Sequence, residues 1–120
     1  MGGRGAILQE LTNRHMKPYS IYFITEDETY NTKIGFSCGI ESRLATLKTG
    51  NPRDLWVSAT IDGLTEQSAR SLEIYLHKRL KSYHIRGEWF LKNIFYVDWF
   101  RDSFRLPRKA SINLIDLPIE

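Results

Sequence analysis

The chain has 120 residues, 42% of them hydrophobic and 26% charged, with a net charge of +3, the balance of a soluble globular domain with room for one core and no second domain. No apolar run approaches the roughly 20 residues that cross a bilayer, and Met1 to Glu10 lack the apolar core of a signal peptide, so an intracellular, cytoplasmic chain is expected, nuclear in a eukaryotic cell. A single cysteine, Cys38, excludes an internal disulfide and a cysteine-built zinc cage.

Ala6 to His15 places Ile7, Leu8 and Leu11 in a helical phase, which predicts a short N-terminal helix ending before Lys17-Pro18. Tyr19 to Thr25 is dense in aromatic and β-branched residues and predicts a strand. The polar stretch Glu26 to Asn31 turns the chain into a second strand, Thr32 to Ser37, and the two form a hairpin. Ile40, Leu44 and Leu47 recur at helical spacing until Gly50-Asn51-Pro52 stops them. Leu55 to Ile61 is a third strand. The longest periodic segment runs from Thr65, an N-cap candidate, to Tyr83. Ala69, Leu72, Leu76, Leu80 and Tyr83 share one face of it; Arg70, Glu73, His77 and Lys81 share the other. Gly87 to Phe90 is a short extended element, Asn93 to Phe100 an aromatic helix, and the chain from Leu106 a Pro-punctuated, partly extended tail. This order predicts an α+β domain with a small three-stranded, mainly antiparallel sheet flanked by helices.

Between Gln67 and Lys109 ten basic residues stand against four acidic ones, which suits an anionic partner or, equally, a solvated basic face. Taken singly, the polar residues at element ends have bland readings: Tyr22 as a half-buried packing residue, Lys33 and Arg43 as surface charges, Glu73 as an ion-pair partner of Arg70 or His77. Alternation puts Tyr22 on the face of Ile24 and opposite Phe23. Both faces are apolar, so the strand is central and the tyrosine hydroxyl needs a polar partner. Trp89 and Phe90, directly after a turn, read as core plugs rather than base-stacking platforms.

Taken together, Ser20-Ile21-Tyr22, Lys33-Ile34-Gly35-Phe36-Ser37, Arg43-Leu44 with Thr49-Gly50-Asn51-Pro52, Glu73 with His77, and Gly87-Glu88-Trp89-Phe90 form an ordered series. In this series the chain resembles the GIY-YIG nuclease superfamily, and most of all its phage and fungal branch (T5-type DNA-binding and meiotically up-regulated domains), which reads K-I-G for Y-I-G and closes with G-E-W-F. The resemblance runs from Tyr19 to Asn93. On this basis the chain divides into a helical appendage at 1–18, a GIY-YIG-like nuclease domain at 19–105 and a tail at 106–120. The activity implied is that of a divalent-metal-dependent endonuclease hydrolysing DNA phosphodiester bonds, of phage or mobile-element type. The alternative is a non-catalytic nucleic-acid-binding module that keeps the fold. RNA is the second choice of substrate, and a homo-oligomer or protein partner would supply sequence specificity.

Carried over by position, the resemblance makes Tyr22, Lys33, Arg43, Glu73 and His77 the catalytic set. Arg43 would clamp the phosphate and Glu73 would hold a Mg²⁺ or Mn²⁺ ion. Ser20 replaces the family's first glycine, and Lys33 stands where most members have a second tyrosine. A tyrosine, with an ordinary pKa of about 10, is a poor base until a cation stabilises its phenolate, and Lys33 on the neighbouring strand would supply that charge to Tyr22. His77 would position a water or phosphate, or pair with Glu73. Glu88 would brace Arg43 from behind, and Asn93 would add a further polar group. Lys48, Arg53, Lys78, Lys81, Arg86 and Lys92 are the candidate phosphate contacts.

Overall fold

A computed structural model of the chain describes residues 17–92, 94 and 106–118. The helix expected at 6–15, all but Ile94 of the one expected at 93–100, and the candidate residue Asn93 lie outside the described residues. β1 (Tyr19–Glu26) and β2 (Thr32–Ser37) form the expected hairpin, followed by α1 (Ile40–Thr49), β3 (Leu55–Leu64) and α2 (Glu66–Arg79). Thr65 caps α2, its hydroxyl accepting the Ser68 N–H at 3.0 Å. The chain then passes through a one-turn 3-10 helix, Lys81–Tyr83, into β4 (His84–Arg86), β5 (Trp89–Phe90) and finally β6 (Ser111–Leu114).

The sheet has six strands in the order β4-β5-β2-β1-β3-β6, antiparallel throughout, rather than the three expected. The three expected strands are its centre, and the correction lies at the edges. β4 and β5 are three and two residues long, too short for a period of two to show in the sequence. β6 comes from the segment read as a tail and pairs with the outer edge of β3, from Ala59 opposite Leu114 to Asp62 opposite Ser111. The Asp62 carboxylate anchors this edge: it accepts the Asn113 amide and the hydroxyls of Ser20 (2.6 Å) and Thr60 (2.8 Å). Gly63 admits the incoming chain, because its φ is +80° and a Cβ there would overlap the Lys109 carbonyl oxygen.

β1 is apolar on both faces, as a central strand must be. Ile21, Phe23, Ile34, Ala59, Ile61 and Leu64 meet Ala69 and Leu76 of α2 and Leu80 at its C-cap, together with Phe90 and Ile94, in the main core. On the opposite face Tyr22, Ile24 and Leu55 form a smaller cluster with Ile40, Leu44 and Leu47 of α1 and with Val57 and Trp89. No residue of α1 is fully buried. This second face is therefore thinly covered, and the polar candidates gather on it and at its β2 edge.

Candidate active site

Tyr22 sits in the middle of β1, 1% exposed, paired with Gly35 of β2 on one side and Thr60 of β3 on the other. Its ring lies over Gly35, where a Cβ would overlap Oη and Cζ of the phenol. Gly35 is thus the clearance that lets Tyr22 lie flat on the sheet. The motif reading contained this glycine without giving it a task, although the hairpin register that places it opposite Tyr22 follows from the turn length. Arg43, on the exposed side of α1, donates from Nε to Tyr22 Oη at 3.4 Å. Burial pushes the Tyr22 pKa up, the Arg43 hydrogen bond pulls it back, and the charges of Glu88 and Glu73 add to the rise. The cation at the Tyr22 hydroxyl is therefore Arg43.

Lys33, expected in that role, turns to a different partner. Its side chain is 12% exposed, its Nζ lies 2.9 Å from Glu88 Oε2, and the ammonium stands 5.8 Å from the centre of the Trp89 ring. Glu88, expected behind Arg43, is held by Lys33 instead and reaches Arg43 and Tyr22 only through its charge.

Glu73 is half-buried on α2, with its pKa raised first by burial and then by the negative charge of Glu88, against the lowering effects of His77, Lys33 and Arg70. Arg70 pairs with Glu66 (3.3 Å) and lies over Phe36, so Glu73 has no ion-pair partner among the described residues. His77, one turn further on, has a structural contact. The Ile34 N–H donates to the Glu88 carbonyl at 2.9 Å, but β5 turns away there and leaves the Ile34 carbonyl on the same edge without a strand partner. His77 Nε2 supplies the missing hydrogen bond at 3.0 Å, with its ring edge-on to Phe90. A carbonyl can only accept, so Nε2 carries the proton. This bond pins α2 to the edge of β2 and brings Glu73 to the same edge as Lys33 and Glu88.

Five of the expected residues, from four elements and the β4–β5 turn, are thus linked through Glu88, which acts by charge or contact on each of Tyr22, Lys33, Arg43 and Glu73, with His77 as the pin. The candidate phosphate contacts divide. Arg53 and Arg86 line one groove of about 450 Å³ beside Trp89, with Lys48 exposed on the adjoining end of α1. Lys78, Lys81 and Lys92 are exposed away from that groove. Phe90 is a core plug as expected, fully buried, whereas Trp89 is only half-buried and lines the groove.

A family model, the T5orf172 domain, matches residues 19–105, more than two thirds of the chain and all of the site. The chain belongs to the T5orf172 domain family. T5orf172 domains are nuclease-related and DNA-binding, and the match ends before β6, so the sixth strand lies outside the stretch that defines the family. No curated protein and no solved structure matched the chain. Among the described residues no helix is long and apolar enough to cross a membrane, and no three His, Cys, Asp or Glu side chains form a metal cage.

Proposed function

We propose that this T5orf172 domain is a divalent-metal-dependent endonuclease that hydrolyses DNA phosphodiester bonds. The observation that carries the reading is the meeting of the Tyr22 hydroxyl and the Arg43 guanidinium on one thinly covered sheet face, with Glu73 at its edge. Glu73 suits a metal ion: it is a half-buried carboxylate without an ion-pair partner among the described residues, disfavoured by a second carboxylate nearby. A single protein carboxylate completed by waters is a binding mode of Mg²⁺, with Mn²⁺ as substitute. The ion, when bound, supplies Lewis acidity to the phosphate and to the departing oxygen.

The chain's own groups do the rest. Arg43 stabilises negative charge on Tyr22 Oη through its Nε and offers its remaining N–H groups to a phosphate oxygen. Tyr22, once its phenol has given its proton to solvent, accepts a proton from the attacking water, a step that burial of the phenol shifts towards alkaline pH. Lys33 pairs with Glu88 and so offsets the carboxylate that disfavours the charged form of Glu73. His77 positions Glu73 by fixing α2 to β2. A non-catalytic nucleic-acid-binding module is the second reading, favoured by the Lys33–Glu88 pairing, which commits the residue at the second tyrosine position to an ion pair.

Incubation of the purified chain with supercoiled plasmid and Mg²⁺ or Mn²⁺ tests the proposal, with EDTA and Glu73→Gln as controls. Nicked or linear product that disappears in both controls is expected. An inactive wild type under every metal, with DNA binding retained, replaces the enzyme by the binding module.

A further inference from the structure

The groove beside the site is a concave feature that combines positive charge with an aromatic face. Its volume, about 450 Å³, is that of a small-ligand site. One side is the turn after α1, where Asn51 Oδ1 accepts the Arg53 backbone N–H at 2.9 Å and fixes the loop. Another is β4, three exposed residues long, which holds Ile85 out 41% exposed and places Arg86 next to it. Two arginines from separate elements thus line one cavity. The carboxylate among its lining residues, Glu26, is buried and already accepts the Thr29 hydroxyl at 2.6 Å. Arg53 also touches Glu28 through Nε at 3.3 Å, but that pair is exposed and weak.

Trp89 joins this groove to the site. Part of its indole packs in the cluster of Tyr22 and Ile24, with the Lys33 ammonium over the ring, and part lines the groove. Arginine forks suit phosphate oxygens, and a half-exposed indole accepts any base on its face. We infer that the groove takes one unpaired nucleotide of the DNA strand, next to the phosphate held at Tyr22 and Arg43, with its phosphate on Arg53 and Arg86 and its base against Trp89 and Ile85. This rests on the endonuclease reading above and deepens it. A base reaches Trp89 only after leaving its complement, so the substrate class is DNA with an unpaired nucleotide, such as a bulge, flap or single strand, rather than intact duplex.

The test uses the full chain in EDTA, which prevents cleavage, and three probes: a duplex with a single-nucleotide 2-aminopurine bulge, the same bulge with an abasic residue, and the fully paired duplex. Wild type is expected to bind the 2-aminopurine bulge on the order of tenfold more tightly than the paired duplex, with a change in 2-aminopurine fluorescence, and to lose that preference on the abasic probe. Trp89→Leu should lose the preference while still binding DNA. Arg53→Ala with Arg86→Ala should weaken binding to the two bulged probes more than to the paired duplex and reduce the salt dependence on the bulged probes by about one phosphate contact. The abasic comparison needs no variant, so a poorly folding Trp89→Leu leaves the inference testable. Equal affinity for bulge and duplex, or a preference that survives the abasic residue, overturns the groove assignment and leaves the endonuclease reading standing. No binding to any DNA overturns both.

Discussion

The two faces of the central sheet are built to different standards. The α2 face is apolar and continuous: six residues from the three long strands interlock with Ala69, Leu76 and Leu80, sealed by Phe90 and Ile94. Among the described residues the apolar cluster of the α1 face has three buried members, Tyr22, Ile24 and Leu55, under a helix with no fully buried residue, and the face carries Lys33, Gly35 and the reach of Arg43. Close-packed interiors respond to the loss of even one methylene, whereas a thin cover lets polar groups keep contact with water and substrate. The α2 face therefore supplies most of the stability, and the α1 face, with the β2 edge, is left free for chemistry. Substitutions on the two sides should separate accordingly, and four of them rank by their effect on stability.

The largest effect belongs to Leu76→Ala. Leu76 is fully buried in the main core, and its truncation should cost about 2–5 kcal/mol of unfolding free energy. Urea unfolding measures this, while DNA affinity of the folded protein at zero denaturant should stay at the wild-type value. A loss below about 1 kcal/mol would mean that the packing of the two faces is not as unequal as described.

Next comes Gly35→Ala, where the added methyl must displace the Tyr22 ring. Overpacking of this kind costs about 1–3 kcal/mol, and moving the phenol away from Arg43 should cut cleavage on the order of a hundredfold. Combining it with Tyr22→Leu should restore most of the stability and none of the activity, since the clash then has no ring to meet. A Gly35→Ala protein with normal stability and normal cleavage shows that the ring does not lie over Gly35.

Lys33→Ala is smaller. Lys33 and Glu88 form a mostly covered pair, and removing the lysine leaves Glu88 facing Glu73 uncompensated. A loss of about 1 kcal/mol at neutral pH is expected, and Lys33→Ala with Glu88→Gln should recover it. If the double variant is no more stable than Lys33→Ala alone, the repulsion between the two carboxylates is not what Lys33 relieves.

Much of this arrangement was legible in the sequence, and the exceptions have physical causes. β1, β2, β3, α1 and α2 announce themselves because each turns a periodic apolar face, partly covered in α1 and buried in the others, that is long enough to show its period. β5 falls within the short extended element expected at Gly87 to Phe90, β4 is too short to show a period, and β6 is an edge strand with one half-buried residue, Ile112, whose place is set by Asp62 and Gly63 roughly 50 residues earlier in the chain. Tyr22, Arg43 and Glu73 were readable as a motif. The partner of Lys33 was not, because Glu88 is brought to it by the pairing of β2 with β5, and strand pairing between distant segments leaves no local trace. An apolar pair directly after a turn reads as two core plugs, which holds for Phe90 but not for Trp89, because strand alternation sends the two to opposite faces.

The smallest effect on stability, and the one with the opposite sign, belongs to Glu73→Gln. The folded-state pKa of Glu73 lies above its ordinary value, chiefly through burial and then through Glu88. A carboxyl whose pKa is raised on folding gives its full stabilising contribution below the unfolded pKa of about 4.3 and loses it as the pH rises through the folded value. Above the unfolded pKa and without metal, the raised pKa of Glu73 therefore works against the fold, and glutamine, isosteric and neutral, removes that cost. In EDTA, Glu73→Gln should match wild type near pH 4 and become the more stable of the two towards pH 7, while metal-dependent cleavage is lost. Such a residue is kept for what it binds rather than for what it holds together. Paired thermal unfolding curves at several pH values decide the point. A glutamine variant less stable than wild type at pH 7 would make Glu73 a structural residue of α2, and the metal role would then have no occupant at this edge of the sheet.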